Sequence, residues 1–182
     1  RLRQNGYNIF VVNTDENYQR EERAIYLSLS KKVDGIILCP CQKEDKDILF
    51  LKNKKINFVL LGRHFPHIQT DYVISSDIKG AYLATKYLLD NNRTRILLLN
   101  AHLYISSAQE RYQGYLNAFR EKGLKIDKSL VYEIGNTTGN TIQAIKNIVA
   151  KNIKFDAIFA FSDLMAWEAI SCLQNLGFAY RK

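Results

Sequence analysis

The chain has 182 residues, of which 47% are hydrophobic, 24% charged and 12% aromatic. That is the make-up of a folded globular protein and excludes disorder as the main description. Only 9 Gly and 2 Pro exclude a collagen-like or low-complexity chain, and no apolar run approaches the roughly 20 residues needed to span a bilayer. The formal net charge of +8 hints at nucleic acid. However, the basic residues are spread from Arg1 to Lys182 among acids such as Asp15, Glu16, Glu21 and Glu22, which describes a scattered surface rather than a phosphate-binding stripe.

The first element predicted is a strand over 7–12, an apolar run behind Asn5-Gly6 that suits burial on both faces. The period then changes, and Tyr18, Ala24, Ile25, Leu27 and Leu29 mark a helix over 17–31, with Asp15 as its candidate cap. A strand over 33–39 stops at Pro40. A short helix over 45–55 and a strand over 58–61 follow, then a loop over 62–70 and a brief strand over 72–75. Asp77 is placed to cap a helix over 78–90 that ends at Asn91-Asn92. A strand over 95–99 leads to a helix over 106–121, closed by Gly123 in the C′ position. A strand over 130–134, a helix over 140–150, a strand over 157–161 and a helix over 164–176 stopped by Gly177 complete the series.

Strands alternating with three-turn helices predict an α/β fold of βαβ units, with mostly parallel sheets flanked by helices. Such sheets bind ligands beyond the carboxyl ends of their strands. The segments of interest are therefore 13–16, 39–42, 62–67, 75–77, 100–111, 135–139 and 162–165.

Enzymatic motifs are missing from these segments. There is no GxGxxG, GxxxxGK[ST] or GxSxG, so no nucleotide cradle or nucleophile elbow is supported. His64 and His67 are separated by a proline, without a carboxylate pattern to complete a metal site. Cys39, Cys41 and Cys172 show no CxxC spacing, which points to a reducing compartment, and Cys39-Pro40-Cys41 reads as one buried thiol and one loop thiol. Residues 1–4 run into Gly6-Tyr7 without an apolar segment, so no signal peptide is expected and the expected location is cytoplasmic. Ser107 and Arg111, four apart at a helix start, share one face near the positive dipole end. There a guanidinium can fork onto vicinal hydroxyls or a carboxylate, or simply pair with a surface acid. Ser162-Asp163 lies at a strand-to-helix junction, where helix capping explains it equally well.

Five stretches in this order carry a family resemblance. They are Asn5-Gly6-Tyr7 with Asn13-Thr14-Asp15, Val33-Asp34-Gly35-Ile36-Ile37-Leu38, Ser76-Asp77-Ile78-Lys79-Gly80-Ala81-Tyr82-Leu83-Ala84, Glu110-Arg111-Tyr112-Gln113-Gly114-Tyr115-Leu116-Asn117-Ala118-Phe119, and Ala157-Ile158-Phe159-Ala160-Phe161-Ser162-Asp163-Leu164-Met165-Ala166. Together they resemble the effector-sensing domain of LacI/GalR-type bacterial transcription repressors, which is similar to periplasmic sugar-binding proteins (type I). The resemblance implies two Rossmann-like lobes, 1–76 and 77–182, lacking the first strand of the domain at one end and its last strands at the other. It also implies a preceding helix-turn-helix that binds DNA, a homodimer, and a small polar effector, most simply a sugar, held between the lobes. Neither a cofactor nor a metal is implied.

Position by position, the resemblance implies effector contacts by Arg111, by Ser107 one turn before it, and by Ser162 and Asp163. Thr137 stands where relatives place a covering aromatic. Gly62 replaces a sugar-binding aspartate, which leaves Arg63 as a substitute or as a solvent-facing cation. Two rival readings remain: an extracytoplasmic sugar receptor, and a small α/β sugar isomerase, which would need an acid–base pair near Arg111.

Overall fold

The structure, a computed structural model, describes residues 3–135 and 138–179. Among the described residues six α-helices and six strands follow one another, alternating except where β2 runs through a loop into β3: α1 (Tyr18–Ser30), β1 (Ile36–Leu38), α2 (Lys46–Asn53), β2 (Phe58–Leu61), β3 (Tyr72–Val73), α3 (Asp77–Asp90), β4 (Ile96–Asn100), α4 (Ser106–Glu121), β5 (Val131–Glu133), α5 (Asn140–Ala150), β6 (Ala157–Ala160) and α6 (Asp163–Asn175). The strands form two separate three-stranded parallel sheets, ordered β1-β2-β3 and β5-β4-β6. The predicted α/β class and parallel pairing are those observed.

The second sheet is covered on both sides because β4 is apolar without a break from Ile96 to Leu99 and every residue of it is buried. Successive side chains of a strand point to opposite faces. Ile96 and Leu98 accordingly join Leu89, Tyr115, Ala118 and Phe119 under α3 and α4, while Leu97 and Leu99 join Ile145, Ile148, Met165 and Ala169 under α5 and α6. The phenol of Tyr115, buried within the first of these layers, donates to the carbonyl of Ile96 at 3.0 Å. Gly123 and Gly177 both take the left-handed conformation just past α4 and α6, as their predicted stop positions require.

The first sheet is covered less completely. Ile48, Leu60, Phe65 and Ile68 form a core on one face with Leu38 and Phe58, whereas Ile37 is 73% and Val73 60% exposed. Here the expected burial on both faces is not met. The strand predicted over 7–12 is also absent: those residues pair with no described strand, and Val11 is 82% exposed. Apolar, β-favouring residues acquire strand geometry only when a neighbouring strand supplies the ladder, and none of the described strands does so here. Two cap assignments change as well. Asn17, not Asp15, caps α1 by accepting from the amide of Arg20 at 3.0 Å, and Asp77 lies inside the first turn of α3 with its carboxylate turned to another task.

One buried acid ties α1 to the first sheet. Glu21, 2% exposed, accepts from the amide of Cys41 at 2.8 Å. Burial raises its pKa, and this outweighs the lowering by the Cys41 hydrogen bonds. A carboxyl raised in the folded state is protonated more readily there than in the unfolded chain. Its contribution therefore favours folding below the unfolded value and is lost as pH rises through the folded one. Glu21→Gln is expected to stabilise the protein by roughly 1 kcal/mol at pH 7. The difference in urea midpoint between this variant and the wild type should shrink as pH falls toward the ordinary carboxyl range, because protonation removes the charge that burial disfavours.

Candidate functional site

All described strands end toward loops that carry the polar residues singled out above, and the loops of the two sheets meet. Gln42, after β1, accepts from both the amide and the hydroxyl of Ser106 at the start of α4, at 2.9 and 3.1 Å. Its amide nitrogen donates to the carbonyl of His64, after β2, at 2.6 Å. The amide of His64 in turn donates to the Ser106 hydroxyl at 3.1 Å. This closed ring joins the loop ends of the first sheet to the N-terminus of α4, and Gln42 and Ser106 are both buried within it. Gln42→Ala leaves the buried Ser106 amide without its acceptor, so a loss of about 2 kcal/mol is expected. Urea unfolding measures that loss, and hydrogen exchange should report faster exchange at the Ser106 amide than at the amides of β4.

Arg111 lies one turn into α4 and is 29% exposed at its side chain. Its Nε donates to Asp77 at 2.8 Å, a terminal nitrogen donates to the carbonyl of Phe161, and the guanidinium lies 4.4 Å from the Phe161 ring centroid. α3 thus contributes the anion, the end of β6 the carbonyl and aromatic face, and α4 the arginine. Among the described residues the other terminal nitrogen has no hydrogen-bond partner. Ser107 is buried one turn earlier on the same helix. Ser162 caps α6 by accepting from the amide of Met165 at 3.3 Å, and Asp163 accepts from the amide of Leu164 at 3.1 Å. Phe161, Ser162 and Asp163 also line an open groove of about 320 Å³ beside β6, together with Ile158, Ala166 and Ile170. Arg111 does not line that groove.

Arg63 belongs to a different part of the site. It is buried after β2, where its two terminal nitrogens fork onto the Glu16 carboxylate at 2.6 and 2.7 Å, and one of them also donates to the carbonyl of Pro40 at 2.8 Å. It does not point to solvent, and no described contact joins it to Arg111. In the loop after β4, half-exposed Tyr104 is within electrostatic reach: partial burial raises its phenol first, the charge of Glu16 raises it further, and Arg63 opposes both. Tyr104 stacks on His102, whose Nδ1 pairs with Glu133 at 2.8 Å. Thr137 lies outside the described residues.

Glu16, Gln42, His64 and Ser106 take part in these networks although nothing in their local sequence singled them out as binding residues. All four fall in the strand-end segments, so the usable signal was position after a strand. His64 and His67 part company: His64 rests on the Tyr72 ring with centroids 4.8 Å apart, and His67 pairs with Asp45 at 2.8 Å. Among the described residues no cluster of three or more His, Cys, Asp or Glu could hold a metal ion. Burial pushes the Cys41 thiol up to about 12, with Glu21 adding to the effect, so it stays a neutral thiol and a poor nucleophile.

Two parallel sheets thus meet through their loop ends over a polar site, and comparison with known proteins shows the family to which this architecture belongs. Residues 1–181 match the family of periplasmic binding proteins and sugar-binding domains of the LacI family, and the chain belongs to that family. It is 32% identical over 173 residues to the HTH-type transcriptional repressor PurR of Vibrio campbellii, covering 94% of this chain and 52% of the relative. The PurR of Vibrio vulnificus is 31% identical over the same coverage. The chain therefore spans about half the length of the curated relatives it matches. Among solved structures, the transcription regulator CcpA of Lactococcus lactis superposes with a TM-score of 0.87 at 25% identity, over 97% of this chain and 65% of that one. The transcriptional regulator CelR, solved as a cellobiose complex, superposes with a TM-score of 0.79 at 28% identity, over 88% of this chain and 50% of that one. These relatives are regulators, and no described helix is long and apolar enough to cross a membrane.

Proposed function

We propose that this chain is the effector-sensing part of a LacI/GalR-type transcription regulator, in which residues 1–76 and 77–182 act as two lobes that close on a small polyhydroxy effector. The observation that carries this reading is Arg111. Its guanidinium is oriented from three directions, retains a donor with no partner among the described residues, and stands one turn from the buried hydroxyl of Ser107. A pre-oriented guanidinium binds hydroxyls or an oxyanion with little further loss of side-chain freedom. Ser162 and Asp163 would contribute from the β6–α6 junction, which requires their present bonds to backbone amides to be shared with the ligand. Cellobiose in the CelR complex supports a polyhydroxy ligand class, and the PurR relatives support regulation rather than turnover.

Effector and operator DNA affinities are then linked through the angle between lobes, reciprocally and by about 1–3 kcal/mol. The protein would work in the cytoplasm as a homodimer, with a helix-turn-helix making the DNA contacts. Calorimetry of the intact protein with sugars, sugar phosphates and purine bases, paired with operator-binding assays, tests this. The expected result is a ligand recovered unchanged whose binding shifts DNA affinity about 5- to 150-fold. A ligand that is chemically converted, or whose binding leaves DNA affinity unaltered, overturns it.

A further inference from the structure

The Arg63–Glu16 pair has the geometry of a bound ligand rather than of a surface ion pair. The guanidinium is almost wholly enclosed, at 8% side-chain exposure, while the carboxylate that covers it is 41% exposed. The two parallel N–H···O contacts of 2.6 and 2.7 Å are the fork-on-fork match that arginine makes with carboxylates and phosphates alike. Glu16 is thus the exposed member of the pair and Arg63 the enclosed one. Glu16 is also held in an uncommon backbone state. Asp15 and Glu16 have φ of 50° and 56°, consecutive left-handed conformations that non-glycine residues seldom adopt. The segment leads straight into Asn17, the N-cap of α1, so its conformation is tied to a helix of the first sheet's layer.

We propose that Glu16 is an internal stand-in for an anionic group of the effector, so that a small organic oxyanion, a sugar phosphate or sugar acid, takes Arg63 and releases the 13–16 segment. The inference rests on the effector-site reading above and specifies the ligand class for that site. Neutral sugars lack a group able to compete with a carboxylate for a buried guanidinium. A phosphate presents the same pair of acceptor oxygens with greater charge. The displaced Glu16, already half-exposed, moves into water, and the left-handed turn is free to relax.

Inorganic phosphate is the simplest probe, titrated into the intact protein against chloride at matched ionic strength so that general screening cancels. Glu16→Gln is expected to lower the apparent Kd for phosphate at least tenfold relative to wild type, and the gain should vanish in Glu16→Gln/Arg63→Gln. Glu16→Gly, which suits the positive φ and removes the carboxylate, should behave like Glu16→Gln and separates the effect from any folding defect. Glucose 6-phosphate should gain affinity in both Glu16 variants, while glucose should not. Absence of the gain in both variants, or its persistence without Arg63, overturns the proposal even where sugars bind and alter DNA affinity. A phosphate gain in a protein whose DNA affinity answers to no ligand upholds the anion site and removes the regulatory reading instead.

Discussion

Gly114→Ala is expected to destabilise the protein by about 3 kcal/mol or more, toward the upper end of overpacking effects. A Cβ at this position would lie 2.3 Å from the carbonyl oxygen of Ile78 and 2.7 Å from both the Ala81 Cβ and the Tyr82 amide nitrogen. Two of these atoms belong to backbone, so no side chain can swing aside. α3 and α4 would have to separate at their crossing, which loosens the layer holding Leu89, Tyr115 and Phe119. The gain of about 1 kcal/mol in helix propensity offsets only part of this. Gly80 serves as the control. It lies within α3, and no heavy atom stands within 4 Å of the place its Cβ would take. Gly80→Ala should therefore stabilise by up to about 1 kcal/mol. Urea unfolding of the two variants gives opposite shifts in midpoint if α3 and α4 meet at Gly114 as described. Equal tolerance of both substitutions would refute that crossing.

Arg111→Ala should act on stability and on binding at once. Asp77, 7% exposed, loses the partner that neutralises it. Its place in the first turn of α3 leaves it the favourable helix dipole, so the loss is about 2 kcal/mol, below the roughly 3–5 typical of fully buried pairs. The double variant Arg111→Met/Asp77→Asn removes both charges and is expected to recover most of that stability. It should not recover the effector, for which loss of a charged donor predicts a weakening of about 100-fold. Calorimetry at a pH and temperature where all three proteins are folded separates the two effects. Unchanged effector affinity in the folded double variant would remove Arg111 from the site.

What the sequence made legible follows from how local each determinant is. β4 was readable because Ile96, Leu97, Leu98 and Leu99 are apolar without interruption, which suits a strand covered on both faces, and Gly123 and Gly177 marked helix ends through their own backbone preference. The 7–12 run failed because a strand exists only with its partner, and pairing is not written in the run itself. Asp77 shows the same limit at the site. Its position suggested a helix cap, yet its carboxylate is claimed by Arg111, thirty-four residues further along the chain. Arg63 could be placed at a strand end from sequence, but its occupation by Glu16, forty-seven residues away, could not. Loop positions after strands were predictable; which of their side chains grip one another required the fold.

The uncovered side of the first sheet has a practical consequence. Ile37 and Val73 lie open on its two outer strands, β1 and β3, beside which no further strand pairs among the described residues, and the run through Ile9, Phe10 and Val11, which pairs with no described strand, is equally bare. Unsatisfied main-chain groups next to greasy side chains invite other chains to add themselves edge to edge. A preparation of this polypeptide alone should accordingly scatter more light as it is concentrated. Lysine placed at Ile37 and Val11 would be the direct way to keep it dispersed without touching the polar loops that grip one another beyond the strand ends.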